Sequence, residues 1–253
     1  MTELKASLKL LCLLLWITFW YPPVWLAKKW DKIRWRDFMV RLCYIGILRI
    51  IGVKLKVIGQ PVKIRPLLLV TNHLSYLDIC LLGAAAPMRF APKSEIAKWP
   101  VIGSICRMCD AIFIDRRPDK IKEMTLIMQA ALGRGELVCL FPEGTTGDGL
   151  HLLPFKSGFF SLAEEPIDGH ELTVQPAAII YTHIRRLPID TTQWPHIAWY
   201  GDMELFSHLW KLLKMGSIHA ELIFLPPITR AQGDRKQMAN YCHQAIAKAG
   251  RNK

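Results

Sequence analysis

The first 52 residues constrain the fold most strongly, because they hold a long uncharged run bordered by basic and aromatic residues. No charged side chain occurs from position 10 to position 27, and residues 28–36 then interleave five lysines and arginines with tryptophan. Tryptophan beside lysine and arginine is typical of the lipid headgroup layer. Because an exposed apolar surface of this size is rare in a soluble monomer, the segment must either pack into a core or contact lipid.

The length of this run decides between crossing a membrane and lying on it. Pro22 and Pro23 are expected to break the first helix, which leaves about a dozen apolar residues before the break. A helix of that length is too short to span a hydrocarbon core of roughly 30 Å. Residues 38–53 form a second apolar stretch, interrupted by Arg41 and Arg49, which can extend outward from an interfacial helix. We interpret residues 1–52 as a two-helix membrane-docking element, monotopic rather than spanning. A buried helical hairpin of a soluble protein is the alternative.

Net charge and apolarity together indicate the partner. The chain is 51% hydrophobic and carries a formal charge of +12. An anionic membrane surface satisfies both properties, whereas nucleic acid satisfies only the charge. Basic residues on both sides of the apolar run favour placing its flanks and the remaining chain on the cytoplasmic side.

From residue 53 onward, short apolar runs alternate with helical patterns. Strands spaced by helices predict an α/β fold with a mainly parallel sheet flanked by helices, and we treat residues 53–253 as one domain. The predicted strands lie at residues 53–57, 67–70, 112–114, 137–141, 174–181 and 220–224, and the predicted helices at 78–86, 118–132, 156–165 and 234–249.

His73 and Asp78 directly follow the buried strand at residues 67–70. Ligand sites of open α/β sheets lie at the carboxyl ends of strands. A carboxylate five residues after a histidine can accept a hydrogen bond from Nδ1 and leave Nε2 as a general base. For an isolated pair, a helix-capping histidine and an aspartate in the first helical turn would be the simpler interpretation.

Other polar residues are predicted to reach the same edge of the sheet. The turn at Glu143, Gly144 and Thr145 follows the strand at 137–141, and Arg116 follows the strand at 112–114. Backbone N–H groups of such a turn can hold an anion, and arginine suits phosphate. Lys93 is a further cation near a strand end. A metal site is not predicted, because the only Cys-x-x-Cys, at residues 106–109, lacks a second pair.

Four short motifs occur in a fixed order: Asn-His-x-Ser-Tyr-x-Asp at 72–78, Phe-Ile-Asp-Arg at 113–116, Phe-Pro-Glu-Gly-Thr at 141–145 and Val-Gln-Pro-Ala at 174–177. In this order and spacing, residues 67–181 resemble the glycerolipid acyltransferase family, and in particular its bacterial 1-acylglycerol-3-phosphate acyltransferases. The resemblance implies that His73 is the general base and Asp78 its partner. It further implies that Arg116, Glu143 and Gly144 bind the glycerol-phosphate end of the acceptor, and that Pro176 shapes the acyl side.

The resemblance implies a membrane-bound enzyme on the cytoplasmic face of the bacterial inner membrane. The expected reaction transfers a fatty acyl group from acyl-CoA or acyl carrier protein to 1-acylglycerol 3-phosphate, giving phosphatidic acid. An acyl thioester is already activated, so no cofactor is expected. The sequence has no Gly-x-Ser-x-Gly elbow, which disfavours a lipase or thioesterase with an acyl-enzyme.

Two alternatives remain open at this stage. The same chemistry can act on another lysolipid, such as a phosphate-free lyso-ornithine lipid, because residues 145–149 depart from the basic or serine residues that often follow the third motif. A non-catalytic peripheral lipid-binding protein is the alternative of a different class.

Overall fold

The computed structural model describes residues 3–115 and 120–251. It begins with a helical hairpin made of α1 (Glu3–Lys29) and α2 (Ile33–Ile51). The expectation that the two prolines end the first helix is wrong, because α1 continues through Pro22 and Pro23. A proline removes one backbone donor, and tertiary contacts along α1 offset that loss.

The two helices of the hairpin pack closely at one point. Gly46 of α2 lies against the indole of Trp16, so near that an added Cβ would approach the ring to 2.2 Å. The Trp16 indole N–H donates to the carbonyl of Cys43 over 3.0 Å. A glycine is therefore required where the helices cross, and the predicted pair of N-terminal helices is confirmed.

The residues after the hairpin form a domain around a mixed sheet. Its neighbouring strands, numbered along the chain, follow the order β1-β7-β5-β2-β4-β3. The pairings β1–β7, β5–β2, β2–β4 and β4–β3 are parallel, and β5 pairs antiparallel with β7 and with the short β6. The predicted mainly parallel sheet is thus confirmed. The strands are β1 (Val53–Ile58), β2 (Leu67–Thr71), β3 (Arg89–Phe90), β4 (Leu137–Leu140), β5 (Thr173–Ile184), β6 (Leu187–Pro188) and β7 (Ile218–Phe224).

Helices cover both faces of this sheet and create two apolar cores. One core joins the N-terminal hairpin, α3 and α6 to one face, and the other joins α5, α7 and a 3₁₀ segment to the opposite face. The boundary at residue 52 stays a prediction. The remaining helices are α3 (Leu77–Ala85), α4 (Pro100–Met108), α5 (Ile121–Gly133), α6 (Leu205–Met215) and α7 (Arg235–Arg251).

Two predicted elements differ from the structure. Residues 112–114 hydrogen-bond to the end of β3 and to the segment after it but form only an isolated bridge, since β3 has only two residues. Residues 156–165 form a 3₁₀ helix, Ser157–Ala163, rather than an α-helix. Gly158 lowers the α-helix propensity there, and the Phe159 N–H bonds to the Lys156 carbonyl in the i to i+3 pattern.

Buried ion pairs attach the hairpin to the sheet. Arg36 is only 3% exposed and pairs with Asp37 and Asp110, although the sequence placed it among headgroup contacts. Arg89 at β3 bonds Asp37 at 3.0 Å and Glu136 at 2.9 Å. Charges this far from water are stable only when paired, so Arg36 and Arg89 fix how α2 lies on the domain.

Candidate active site

The segment that follows β2 is held in place by an amide side chain. Asn72 accepts from the Ile179 N–H at 2.8 Å and donates to the Ile179 carbonyl at 2.9 Å. The side chain therefore replaces a missing strand partner and ties the end of β2 to β5. This asparagine belongs to the motif at 72–78, but its role could not be predicted from the sequence.

His73 and Asp78 form the predicted pair. The Nδ1 of His73 lies 2.9 Å from Asp78 Oδ2, and the same oxygen accepts from the N–H groups of Leu74 at 2.6 Å and Ser75 at 2.8 Å. Asp78 is fully buried in the first turn of α3. An ionised carboxylate with these donors holds Nδ1 protonated, which leaves Nε2 to accept a proton.

Tyr181 provides a donor to Asp78 that the sequence analysis missed. Its Oη donates to Asp78 Oδ1 over 2.7 Å, from a strand that is distant in sequence. The alternation of side chains along β5 could have identified this donor. Ala177, Ile179 and Tyr181 share one buried face, and a buried tyrosine hydroxyl needs a polar partner. Burial and the neighbouring Asp78 carboxylate raise the pKa of Tyr181 well above its usual value, so its hydroxyl stays a donor.

The imidazole of His73 is oriented by an aromatic neighbour. Its ring stacks on Phe141 with centroids 3.8 Å apart and planes 16° from parallel. The side chain keeps 17% of its surface exposed, whereas Asp78 keeps none. A substrate can therefore reach the histidine but not the carboxylate.

Glu143 supports the loop that carries His73. Its Oε1 accepts from the backbone N–H of His73 at 2.7 Å, and Oε2 accepts from that of Leu153 at 3.0 Å. The residue is 4% exposed, and burial raises the pKa of Glu143 to about 7, opposed by the two backbone donors. These contacts show that Glu143 orders the loop, and the acceptor binding that the resemblance implies for Glu143 stays a prediction.

The turn after Glu143 brings a cation to the site. Gly144 has φ +76°, a conformation that favours glycine, and an added Cβ would approach Lys156 Nζ to 2.7 Å. The Gly144 N–H bonds to the Phe141 carbonyl at 3.0 Å, so it does not supply the anion donor that the sequence suggested. Thr145 is exposed. The group beside this turn that could attract an anion is therefore the Lys156 ammonium, and not the Gly144 N–H that the sequence suggested.

The other predicted site residues lie in different settings. Pro176 is buried inside β5 opposite Val70, within the sheet rather than at its edge. Lys93 is exposed, and its backbone forms the bridge to Ile114. Arg116 lies outside the described residues.

A large cavity adjoins the histidine loop. It has a volume of about 790 Å³ and is lined by Asn72, Leu74 and Glu143 at one end. From there it extends along residues 178–183 of β5, between the loop at 149–152 and the last turns of α7. The space is large enough for a substantial part of a lipid or thioester substrate.

The arrangement suits proton transfer from a hydroxyl. A partly exposed imidazole with a fixed tautomer is a general base, and Lys156 offers positive charge nearby. Within residues 3–115 and 120–251, no three His, Cys, Asp or Glu side chains are grouped as metal ligands would be.

Comparison with known proteins gives a family and named relatives. The profile of the family described as Acyltransferase matches residues 54–180. A lyso-ornithine lipid O-acyltransferase from Brucella abortus is 36% identical over 228 residues, covering 88% of this chain and 84% of that protein. Another lyso-ornithine lipid O-acyltransferase, from Pseudomonas aeruginosa, is 35% identical, and the alignment covers 84% of this chain and 76% of that protein. A 1-acyl-sn-glycerol-3-phosphate acyltransferase from Neisseria meningitidis is 32% identical, and the alignment covers 79% of this chain and 76% of that protein.

A solved structure shares the fold. The crystal structure of the 1-acyl-sn-glycerophosphate acyltransferase from Thermotoga maritima aligns with a TM-score of 0.69 at 16% identity. The alignment covers 100% of this chain and 98% of that one, so it includes the N-terminal hairpin as well as the sheet.

Proposed function

Because this chain belongs to the acyltransferase family and is an acyltransferase, we propose that it esterifies the free hydroxyl of a lysolipid with a fatty acyl group taken from a thioester. The observation that carries this proposal is the 2.9 Å contact between His73 Nδ1 and the buried Asp78 carboxylate. That contact leaves Nε2 of a partly exposed ring as the proton acceptor.

In the proposed mechanism, Nε2 of His73 takes the hydroxyl proton as the acceptor oxygen bonds to the thioester carbonyl carbon. Asp78 stabilises the imidazolium that forms, without itself being protonated. The tetrahedral intermediate then expels the thiolate, breaking the carbon–sulfur bond, and the imidazolium returns its proton to that sulfur. We propose that Lys156, which lies beside Gly144, stabilises the negative charge on the carbonyl oxygen.

We propose lyso-ornithine lipid as the acceptor. The relatives from Brucella abortus and Pseudomonas aeruginosa, which carry this name, are 36% and 35% identical to the chain over most of its length. Residues 144–149 supply no basic side chain to a phosphate, which supports an acceptor without one. This reverses the order of the two acceptors expected from the sequence.

1-Acylglycerol 3-phosphate is the second candidate acceptor. The Neisseria relative with that activity in its name is 32% identical over 205 residues. Arg116 ends a motif that suits phosphate, and Lys156 is a second cation.

The donor is proposed to be acyl-CoA or acyl carrier protein. Acyl carrier protein is acidic, and a chain with a net charge of +12 attracts an acidic partner. The same charge also suits an anionic membrane.

The N-terminal hairpin is proposed to dock on the cytoplasmic face of the bacterial inner membrane. α1 is long and apolar enough to cross a membrane by length and composition alone, and only 17% of its apolar window is buried. An uncovered apolar surface of this size fits the acyl region of a bilayer. The large exposed hydrophobic residues of the hairpin are Leu4, Leu8, Leu11, Leu14, Leu15, Phe19, Tyr21, Trp25, Leu26, Trp30, Ile33, Trp35 and Phe38.

The test is a matrix of two acceptors against two donors. Purified protein in anionic vesicles is expected to convert lyso-ornithine lipid to the diacyl product with at least one donor, and faster than it converts lysophosphatidate. His73→Ala should abolish transfer yet still sediment with vesicles. Full turnover by His73→Ala would refute the mechanism, and turnover of lysophosphatidate alone would refute the proposed acceptor.

A further inference from the structure

Helix α6 lies beside the N-terminal hairpin in the same layer of the fold. Leu212 and Leu213 of α6 belong to the same apolar core as Leu13 of α1. In the last turn of α6, Lys214 pairs with Glu3 at the start of α1. The hairpin and α6 therefore cover one face of the sheet, and their side chains that point away from this core point toward the same side of the molecule.

The outward side of α6 combines aromatic and basic residues. Phe206 is 75% exposed although its side chain is large and apolar. Trp210 follows one turn later on the same side of the helix and is half-buried, with the Lys214 ammonium 5.4 Å from the centre of its ring. Lys211 is exposed. Aromatic residues beside lysine are typical of a helix that lies in a membrane interface.

Two acidic residues, Asp202 and Glu204, precede this side of the helix. The Glu204 carboxylate caps α6, because it accepts from the N–H groups of Phe206 at 3.0 Å and Ser207 at 2.7 Å. Within α6 itself the Lys, Arg, Asp and Glu residues are two lysines alone. The acidic charge is thus concentrated before the first turn, and the rest of the helix suits anionic lipid.

The start of α6 also contacts the active-site loop at residues 72–78. The Tyr76 hydroxyl lies 3.0 Å from His208 Nδ1 in the first turns of the helix. In the segment before the helix, the Trp199 N–H donates to the Leu74 carbonyl over 2.8 Å. A bilayer that touches the start of α6 would therefore lie next to the loop that carries the catalytic histidine.

We propose that α6 is a third membrane-contact element, which inserts Phe206 into the acyl region of a bilayer while Lys211 contacts anionic headgroups. The inference rests on the proposed docking of the hairpin, because α6 adjoins α1 and faces the same side. The hairpin holds the enzyme on the membrane, and α6 brings the membrane surface to the active-site loop, where a lysolipid embedded in that surface enters.

The experiment measures binding of the full-length protein to anionic and to neutral phospholipid vesicles over a range of lipid concentrations. We expect Phe206→Ser to weaken binding to both kinds of vesicle by about 5- to 30-fold, because the phenyl group that leaves water on docking is removed. Lys211→Gln should weaken binding to anionic vesicles by about fivefold, the effect of one lysine near such a surface, and leave binding to neutral vesicles unchanged.

Two matched controls lie on the opposite face of the sheet. Leu126 of α5 is 67% exposed, and Lys248 of α7 is exposed. Both of these helices pack into the other apolar core. Leu126→Ser and Lys248→Gln should therefore bind both kinds of vesicle as the wild type does. Because all four side chains are on the surface, none of the variants should disturb the fold.

Turnover of a water-soluble, short-chain lyso-ornithine lipid separates docking from chemistry. It should be the same in the wild type and in Phe206→Ser, while turnover of the vesicle-embedded acceptor falls with binding. The inference is overturned if Phe206→Ser binds vesicles as tightly as the wild type, or if Leu126→Ser loses binding equally. A wild type that binds vesicles and acylates neither acceptor would instead overturn the proposed function, so the two failures are distinguishable.

Discussion

The hydroxyl of Tyr181 donates to Asp78 over 2.7 Å, which anchors the carboxylate from β5 as well as from its own loop. Asp78 thereby receives four donors, three of them from residues 73–75. A carboxylate held in this way cannot rotate away from His73. Tyr181 is accordingly a positioning residue, because it acts on the reaction only through Asp78.

Removing this hydroxyl should slow the reaction without weakening substrate binding. We expect Tyr181→Phe to lower kcat by about 3- to 30-fold and to leave the acceptor KM nearly unchanged, since a hydrogen bond to a charged group is lost away from the substrate. Tyr76→Phe is the matched control, because the Tyr76 hydroxyl contacts His208 at 3.0 Å instead. Equal losses of kcat in the two variants would argue against a specific role for Tyr181.

Neutralising Asp78 should have a much larger effect. An amide at this position can turn its oxygen toward the N–H groups of Leu74 and Ser75 and its N–H2 group toward the Tyr181 oxygen, but it carries no negative charge to stabilise the imidazolium of His73. We expect Asp78→Asn to reduce kcat by at least about 10³-fold, measured in single-turnover assays with saturating acyl donor. A reduction smaller than tenfold would show that the pair does not perform the proton transfer.

The raised pKa of Glu143 predicts how the free energy of unfolding depends on pH. Burial raises its pKa from 4.5 to about 7, so between these values the folded state binds more protons than the unfolded state. Stability is therefore expected to fall as pH rises from about 4.5 to about 7, by up to about 3 kcal/mol from this group.

The measurement is the free energy of unfolding at pH 5 and pH 8 for the wild type and for Glu143→Gln. The variant cannot titrate at this position, so its stability should change less over that interval. It should also be less stable than the wild type at pH 5, since its amide can accept from only one of the two backbone N–H groups. Parallel pH profiles of the two proteins would contradict the shift.

The elements that the sequence predicted well are those with strong local patterns. β2 and β4 are continuous apolar runs, and His73 and Asp78 occupy a short motif whose spacing sets their geometry. The local sequence pattern was insufficient where contacts between residues distant in sequence determine the length of a helix or the burial of a side chain. α1 continues through two prolines because α2 supports it, and Arg36 is buried because Asp110 lies opposite.

The role of Glu143 illustrates the same limit within the site. The resemblance implied that Glu143 binds the acceptor, and that role stays a prediction. The sequence did not show that both carboxylate oxygens of Glu143 accept from the backbone of residues 73 and 153. Which backbone groups converge on a side chain depends on the path of the loop at 144–153, and no periodicity encodes that path. The hydrogen bond from Tyr181 to Asp78 spans 103 residues and was missed for the same reason.

The close crossing of α1 and α2 predicts a sensitive glycine. Gly46→Ala would force its methyl group into the Trp16 ring, and we expect a loss of about 1–3 kcal/mol in the free energy of unfolding, measured by denaturant titration in detergent. Gly158→Ala is the control, since nothing lies within 4 Å of its added Cβ. If both variants lose the same stability, the crossing is not closely packed in solution.

Contacts at both ends of α1 predict how it lies relative to the membrane. Near its start Glu3 pairs with Lys214 of α6, and near its end Lys28 pairs with Asp110 after α4. A 27-residue helix is about 40 Å long, and a spanning orientation would place these ends on opposite sides of the bilayer. Because both ends contact the same α/β domain, we expect α1 to lie in the interface.

Protease accessibility in sealed inside-out vesicles tests this orientation. Cleavable epitope tags are placed before residue 3, in the turn at Asp31, and after the C-terminus, where the last reports the side of the catalytic domain. An interfacial α1 leaves all three tags cleavable from the same side. Protection of the N-terminal tag alone would mean that α1 crosses the bilayer, which would require the Glu3–Lys214 contact to be broken in the membrane.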